Sequence, residues 1–172
     1  MTSTDQLPGL ADLLRAYAAA PGPATLEPLR RVAREAPGFR PDLTPARTLA
    51  PLLEQRDWTG ALAAARALMP GALLSPAVHL VLAEVHEQLG DHRSAQREAR
   101  LAQAAVDGIL STGDGTAEAP WSVVRLSDEY DVLRALGTQS HGQQLLTVAG
   151  RTIDRHDAGD GTTYDFDVTG LV

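Results

Sequence analysis

Over the first two thirds of the chain, apolar residues recur at helical spacing between breaks rich in proline and glycine. In GLADLLRAYAAA (9–20), Leu10, Leu13, Leu14 and Tyr17 form one stripe, and the PGP at 21–23 ends it. A second helix is expected over 24–36, with Leu26, Leu29 and Val32 on one face and Arg30, Arg31 and Arg34 largely off it, closed by APGFRPD. Two further helical pairs follow, over Leu49–Leu68 and Ala77–Leu110. Pro76 stands at a first helical position behind Ser75, and Gly90-Asp91 supplies the turn of the last pair.

The pattern changes after Ile109. STGDGTAEAP (111–120) has no periodicity and reads as a linker. Beyond it, WSVVRL (121–126) and QQLLTVAG (143–150) read as strands, SDEYDVLRALG (127–137) as a helix, and RTIDRH with TTYDFDV as a hairpin across DAGDG. Tyr164, Phe166 and Val168 alternate with Asp165 and Asp167, so that strand has one dry and one wet face, and Val132, Leu133 and Leu136 are the expected cover. The expected architecture is mainly α: a flexible lead over 1–8, antiparallel helical hairpins over 9–112, a linker over 113–120, and over 121–172 a small α+β module with an antiparallel sheet.

LAPLLEQRDWTGALAAARAL and LAEVHEQLGDHRSAQREARL superpose at a constant offset of 34 residues, which sets Asp57 on Asp91, Trp58 on His92, Ala61 on Ala95, Ala65 on Ala99 and Arg66 on Arg100. Small residues recur because antiparallel helices approach closely only where side chains are short. This spacing, with Leu82, Ala83, Gly90, Ala95 and Ala102 in the second unit, resembles the tetratricopeptide repeat; the first unit departs from it at Pro51, Arg56 and Leu68. The resemblance implies that Glu54, Glu84, Glu87 and Gln88 look into a groove, an acidic floor suited to a basic peptide. Trp58 and Trp121 are candidate anchors for a partner, with packing as the competing reading.

In the C-terminal third, Gly113-Asp114-Gly115, Asp128-Glu129-Tyr130, Leu133, Leu136-Gly137, Gly142-Gln143 and Phe166-Asp167-Val168 follow in an order that resembles the domain of unknown function 4919 family, an uncharacterised bacterial family. That resemblance covers nearly the whole chain and implies helical repeats followed by a small α/β annex, with no reaction attached. The alanine-rich front end here is shorter than the family's.

Composition narrows the chemistry. Cysteine is absent, which excludes disulfides, thiol nucleophiles and thiolate metal sites, and lysine is absent, which excludes Schiff bases and Walker-type phosphate binding. All 15 basic residues are arginine, asparagine is missing and alanine abounds, a bias typical of a GC-rich genome. The net charge of −7 is concentrated late: residues 113–172 carry 10 acids against 4 arginines. That opposes nucleic-acid binding and favours a basic partner. Neither a membrane-spanning run nor a secretory leader is visible, so a cytoplasmic location is expected.

No catalytic constellation stands out. Asp154, Asp157, Asp160, Asp165 and Asp167, with His156 nearby, offer oxygen ligands, but turn chemistry accounts for DAGDG and the spacing fits no calcium loop. His79, His86 and His92 lack the i, i+4 spacing of helical metal sites. Ser140-His141 lacks a nucleophile elbow and an oriented acid. Asp128, Glu129 and Asp131 read as first-turn acids favoured by the helix dipole. No metal, cofactor or catalytic residue is therefore assigned. The expected function is a non-catalytic adaptor or assembly module that binds another protein or peptide; the alternatives are a metal-dependent or hydrolytic enzyme using the C-terminal acids, and a structural subunit of a larger complex.

Overall fold

The computed structural model describes residues 9–172, and the lead over 1–8 lies outside the described residues. Six helices come first: α1 (Leu10–Ala19), α2 (Pro23–Glu35), α3 (Pro45–Glu54), α4 (Trp58–Ala67), α5 (Pro76–Gln88) and α6 (His92–Leu110). Proline opens α2, α3 and α5, where its missing N–H costs no hydrogen bond. Aspartate caps α4 and α6: Asp57 accepts the Gly60 N–H at 2.9 Å and Asp91 accepts the Ser94 N–H at 3.0 Å.

The two turns that these aspartates close are built alike. Asp57 N–H donates to Leu52 O at 2.9 Å and Asp91 N–H to His86 O at 2.8 Å, and the residue before each lies in the left-handed region, Arg56 at φ 55° and Gly90 at φ 80°. The 34-residue correspondence of the sequence is thus repeated in the backbone of the α3–α4 and α5–α6 turns.

Leu49, Ala61, Ala65, Val78, Leu82 and Val85 form a core between α3, α4 and α5, with Ala61 and Ala65 fully buried where helices cross. Helix α6 packs along α5. The α1–α2 pair does not continue this row from α3 but lies against the C-terminal half of α6. Tyr17 Oη donates to Ala104 O at 3.4 Å, and a Cβ at Gly108 would come within 2.9 Å of that hydroxyl and 3.5 Å of Leu26. Glycine at 108 is what lets the pair approach.

The C-terminal module comprises β1 (Trp121–Ser122), α7 (Leu126–Ala135), β2 (Gly142–Val148), β3 (Arg151–Asp157) and β4 (Thr163–Asp167), in sheet order β1-β4-β3-β2. The expected antiparallel sheet is found for β2, β3 and β4, but the sheet is mixed. Strand β1 runs parallel to β4, with Trp121 opposite Phe166, as a helix and two strands intervening between them permit. WSVVRL is strand only in its first two residues because the following backbone donors are taken elsewhere. Arg125 N–H goes to Asp128 Oδ2 at 3.0 Å and Leu126 N–H to Pro41 O at 3.1 Å.

Residues 113–120 form an ordered turn rather than a structureless link. Asp114 and Gly115 N–H both donate to Ala119 O, and Gly115, at φ 79°, lies under the Trp121 ring, where a Cβ would meet ring carbons at 2.8–2.9 Å. Trp121 joins Ile109, Val123, Val132, Leu133, Phe166 and Val168 in a second core. Buried polar groups tie the module to the helices. Arg125 Nη2 donates to Gly71 O at 2.6 Å with its guanidinium 4.7 Å above the Phe39 ring, Arg30 reaches the Ser122 hydroxyl at 3.0 Å, and Asp131 accepts the Ala77 N–H at 3.1 Å at the start of α5. Among the described residues, no helix is long and apolar enough to cross a membrane.

Candidate functional site

Strand periodicity puts Asp154 and His156 on one face of β3, in register with Leu145 and Gln143 of β2 and with Phe166 and Tyr164 of β4. Helix α7 covers that face. Glu129, Val132 and Leu133 stand at i, i+3 and i+4, so Glu129 shares the inward stripe with two core residues. The result is a buried cluster in which Glu129, Asp154 and His156 each bring one ligand-type atom within 4.8 Å of the others. Glu129 and His156 are fully buried and Asp154 is 4% exposed.

Hydrogen bonds hold the imidazole at both ring nitrogens. Ser140 Oγ lies 3.0 Å from Gly142 O and 2.9 Å from His156 Nδ1, hydrogen-bonded to both. His156 Nε2 is hydrogen-bonded to Glu129 Oε2 at 2.6 Å. Burial, opposed by the histidine contact and reinforced by Asp154, pushes the Glu129 carboxyl up to about 7. Glu129 Oε1 and Asp154 Oδ1 have no hydrogen-bond partner.

At the rim, Tyr130 Oη donates to Gln143 Oε1 at 2.8 Å, and Gln143 Nε2 donates to Asp154 Oδ2. Tyr130 and Phe166 meet the His156 ring edge-on at 5.2 and 5.4 Å. This arrangement orients imidazole and carboxylates rigidly.

A second feature lies among the helices. A cavity of about 510 Å³ between α1, α2, α5 and α6 is lined mainly by Leu14, Tyr17, Leu29, Leu73, Leu74 and Leu101, with Asp107 and His79 as its polar residues. His79 is held by Glu98 Oε2 and Leu73 O, each at 2.8 Å.

The six residues expected to meet a partner are dispersed. Glu54, Glu84, Glu87 and Gln88 are exposed, and Glu87 pairs with His92 at 2.9 Å, but none of them lines the cavity. Trp58 is half-buried against the first core. Trp121 is buried against Tyr164 and Phe166 and donates its indole N–H to Gly113 O at 3.1 Å, so it presents no face to a partner: the second core needs its area more than the surface does.

The aspartate run is dispersed too. Asp157, Asp160 and Asp167 accept local N–H groups in turns, and Asp165 forms a two-bond pair with Arg155 at 2.7 Å. Asp128 does cap α7, whereas Glu129, read from sequence as another first-turn acid, points into the sheet. The available signal was its spacing from Val132 and Leu133. Ser140 meets His156 rather than its neighbour His141. His79, His86 and His92 contact separate acids, Glu98, Asp91 and Glu87.

Searches with this chain find no matching protein family, no similar curated protein and no similar solved structure.

Proposed function

We propose that the protein is a cytoplasmic interaction module whose tetratricopeptide-like helical array, in the layout of the 4919 family, receives an amphipathic segment of a partner protein. The supporting observation is the apolar cavity between the α1–α2 pair and α5–α6, whose 510 Å³ falls in the size range of binding clefts. Such a surface suits a helix presenting leucine-type anchors at i, i+3 and i+4. Asp107 at the cavity favours basic residues on the partner's polar side. The exposed acids Glu54, Glu84 and Glu87, with Gln88 and Trp58 beside them, then act in steering rather than as a floor.

The test is fluorescence polarisation with labelled amphipathic peptides of matched apolar face and either basic or acidic polar faces. Basic peptides bind the wild type at least tenfold more tightly, and Leu101→Glu, at a position 39% exposed, abolishes that binding while circular dichroism is unchanged. Equal binding of basic and acidic peptides, or full retention by Leu101→Glu, refutes the proposal. A structural-subunit role has one observation in its favour: β2 is an edge strand exposed on both faces, with Leu145 56% exposed. Concentration-dependent light scattering lost on Leu145→Lys is its signature.

A further inference from the structure

We infer that Glu129, Asp154 and His156 form a binding site for one divalent transition-metal cation, which pins α7 to β3. Three features of the cluster converge on this. Its three side chains converge to within 4.8 Å in the protein interior, where an uncompensated acidic pair is costly. Glu129 Oε1 and Asp154 Oδ1 are buried, unpartnered and part of the same cluster, so acceptor capacity is left over after every hydrogen bond is drawn.

The imidazole is also prepared as a ligand. Its Nδ1 is hydrogen-bonded to Ser140, which is itself anchored to Gly142 O, so Nε2 is held facing Glu129. That is the outer-sphere support that fixes a ligating histidine's tautomer and ring plane.

The donor set selects the ion class. Two carboxylate oxygens with one imidazole nitrogen suit Zn²⁺, Co²⁺ or Mn²⁺ better than Mg²⁺ or Ca²⁺, which favour all-oxygen shells. Three protein ligands leave at least one position, toward the rim formed by Tyr130 and Gln143. The ligands come from two elements, Glu129 from α7 and the other two from β3, so the bound ion cross-links helix and sheet. Its role is structural, since the cluster is buried.

The experiment uses tag-free, chelator-stripped full-length protein titrated with Co²⁺ and, separately, Zn²⁺. The expected result is one saturable equivalent, a visible Co²⁺ d–d band, and a thermal midpoint raised by roughly 5–10 °C at a hundredfold excess over Kd. Glu129→Gln and Asp154→Asn each weaken binding at least tenfold, and Ser140→Ala, which removes only the outer support, weakens it about 10- to 100-fold. Should the carboxylate variants fail to fold, paramagnetic shifts on the His156 imidazole of Co²⁺-loaded wild type decide the matter. Absence of saturable binding, affinity unchanged in the folded variants, or shifts confined to His92 and the other surface histidines overturns the inference.

Discussion

Arg56 occupies a backbone conformation that Gly90 occupies 34 residues later, and this pair allows a test of the repeat in energetic terms. At φ 55° the arginine Cβ crowds the neighbouring carbonyl, a cost of roughly 1–2 kcal/mol for an L-residue. Among the described residues its side chain forms no ion pair and it is exposed, so little is lost on removing it. Arg56→Gly relieves the strain but frees the unfolded chain, which offsets about 0.4–1 kcal/mol. The net expectation is a gain of about 0.5–1 kcal/mol, or a rise in Tm of about 1–4 °C for a chain of this size. Gly90→Ala reverses the argument and costs about 1 kcal/mol or more, since a Cβ there meets open space but an unfavourable φ of 80°. Urea denaturation of the two variants with an unchanged slope measures both numbers. If Arg56→Gly destabilises, or Gly90→Ala is neutral, the two turns are not equivalent and the structural repeat is an accident of composition.

Two further outcomes follow from the same geometry, beside the peptide and metal tests above. Asp91→Ala removes the cap on Ser94 N–H and costs about 0.5–2 kcal/mol by urea denaturation; Asp57→Ala costs a similar amount, and the double variant shows near-additive losses because the caps serve different helices. Burial pushes the Asp128 carboxyl up to about 7, only partly opposed by Arg125, and burial does the same to Glu129. The native state therefore holds protons that the unfolded chain has released above about pH 4, so stability is greatest at low pH and falls as pH rises through about 7, by at most roughly 4 kcal/mol for Asp128. Asp128→Asn should flatten that fall by about half in urea midpoints taken between about pH 4 and about pH 8, leaving the Glu129 share. A wild type whose stability rises steadily over this range contradicts the assignment.

What could be read from the chain alone is what short-range chemistry controls. Apolar spacing of 3.6 or 2, proline at helix starts and aspartate before α4 and α6 locate the helices and most strands within a few residues, because each signal acts over one or two turns of backbone. The 34-residue offset likewise aligned Asp57 with Asp91 and marked Arg56 as standing where glycine is usual, and the backbone at Arg56 and at Gly90 is left-handed. Tertiary structure alone decided the rest. Whether a first-turn acid caps its helix or enters the core depends on what the helix lies upon, and so Asp128 and Glu129, adjacent in sequence, part company. Trp121 became core, β1 joined the sheet in parallel, and α1–α2 settled on α6, through burial between segments tens of residues apart. The Glu129–Asp154–His156 cluster has the same origin: local periodicity aimed each side chain, but only the docking of α7 onto β3 made them neighbours.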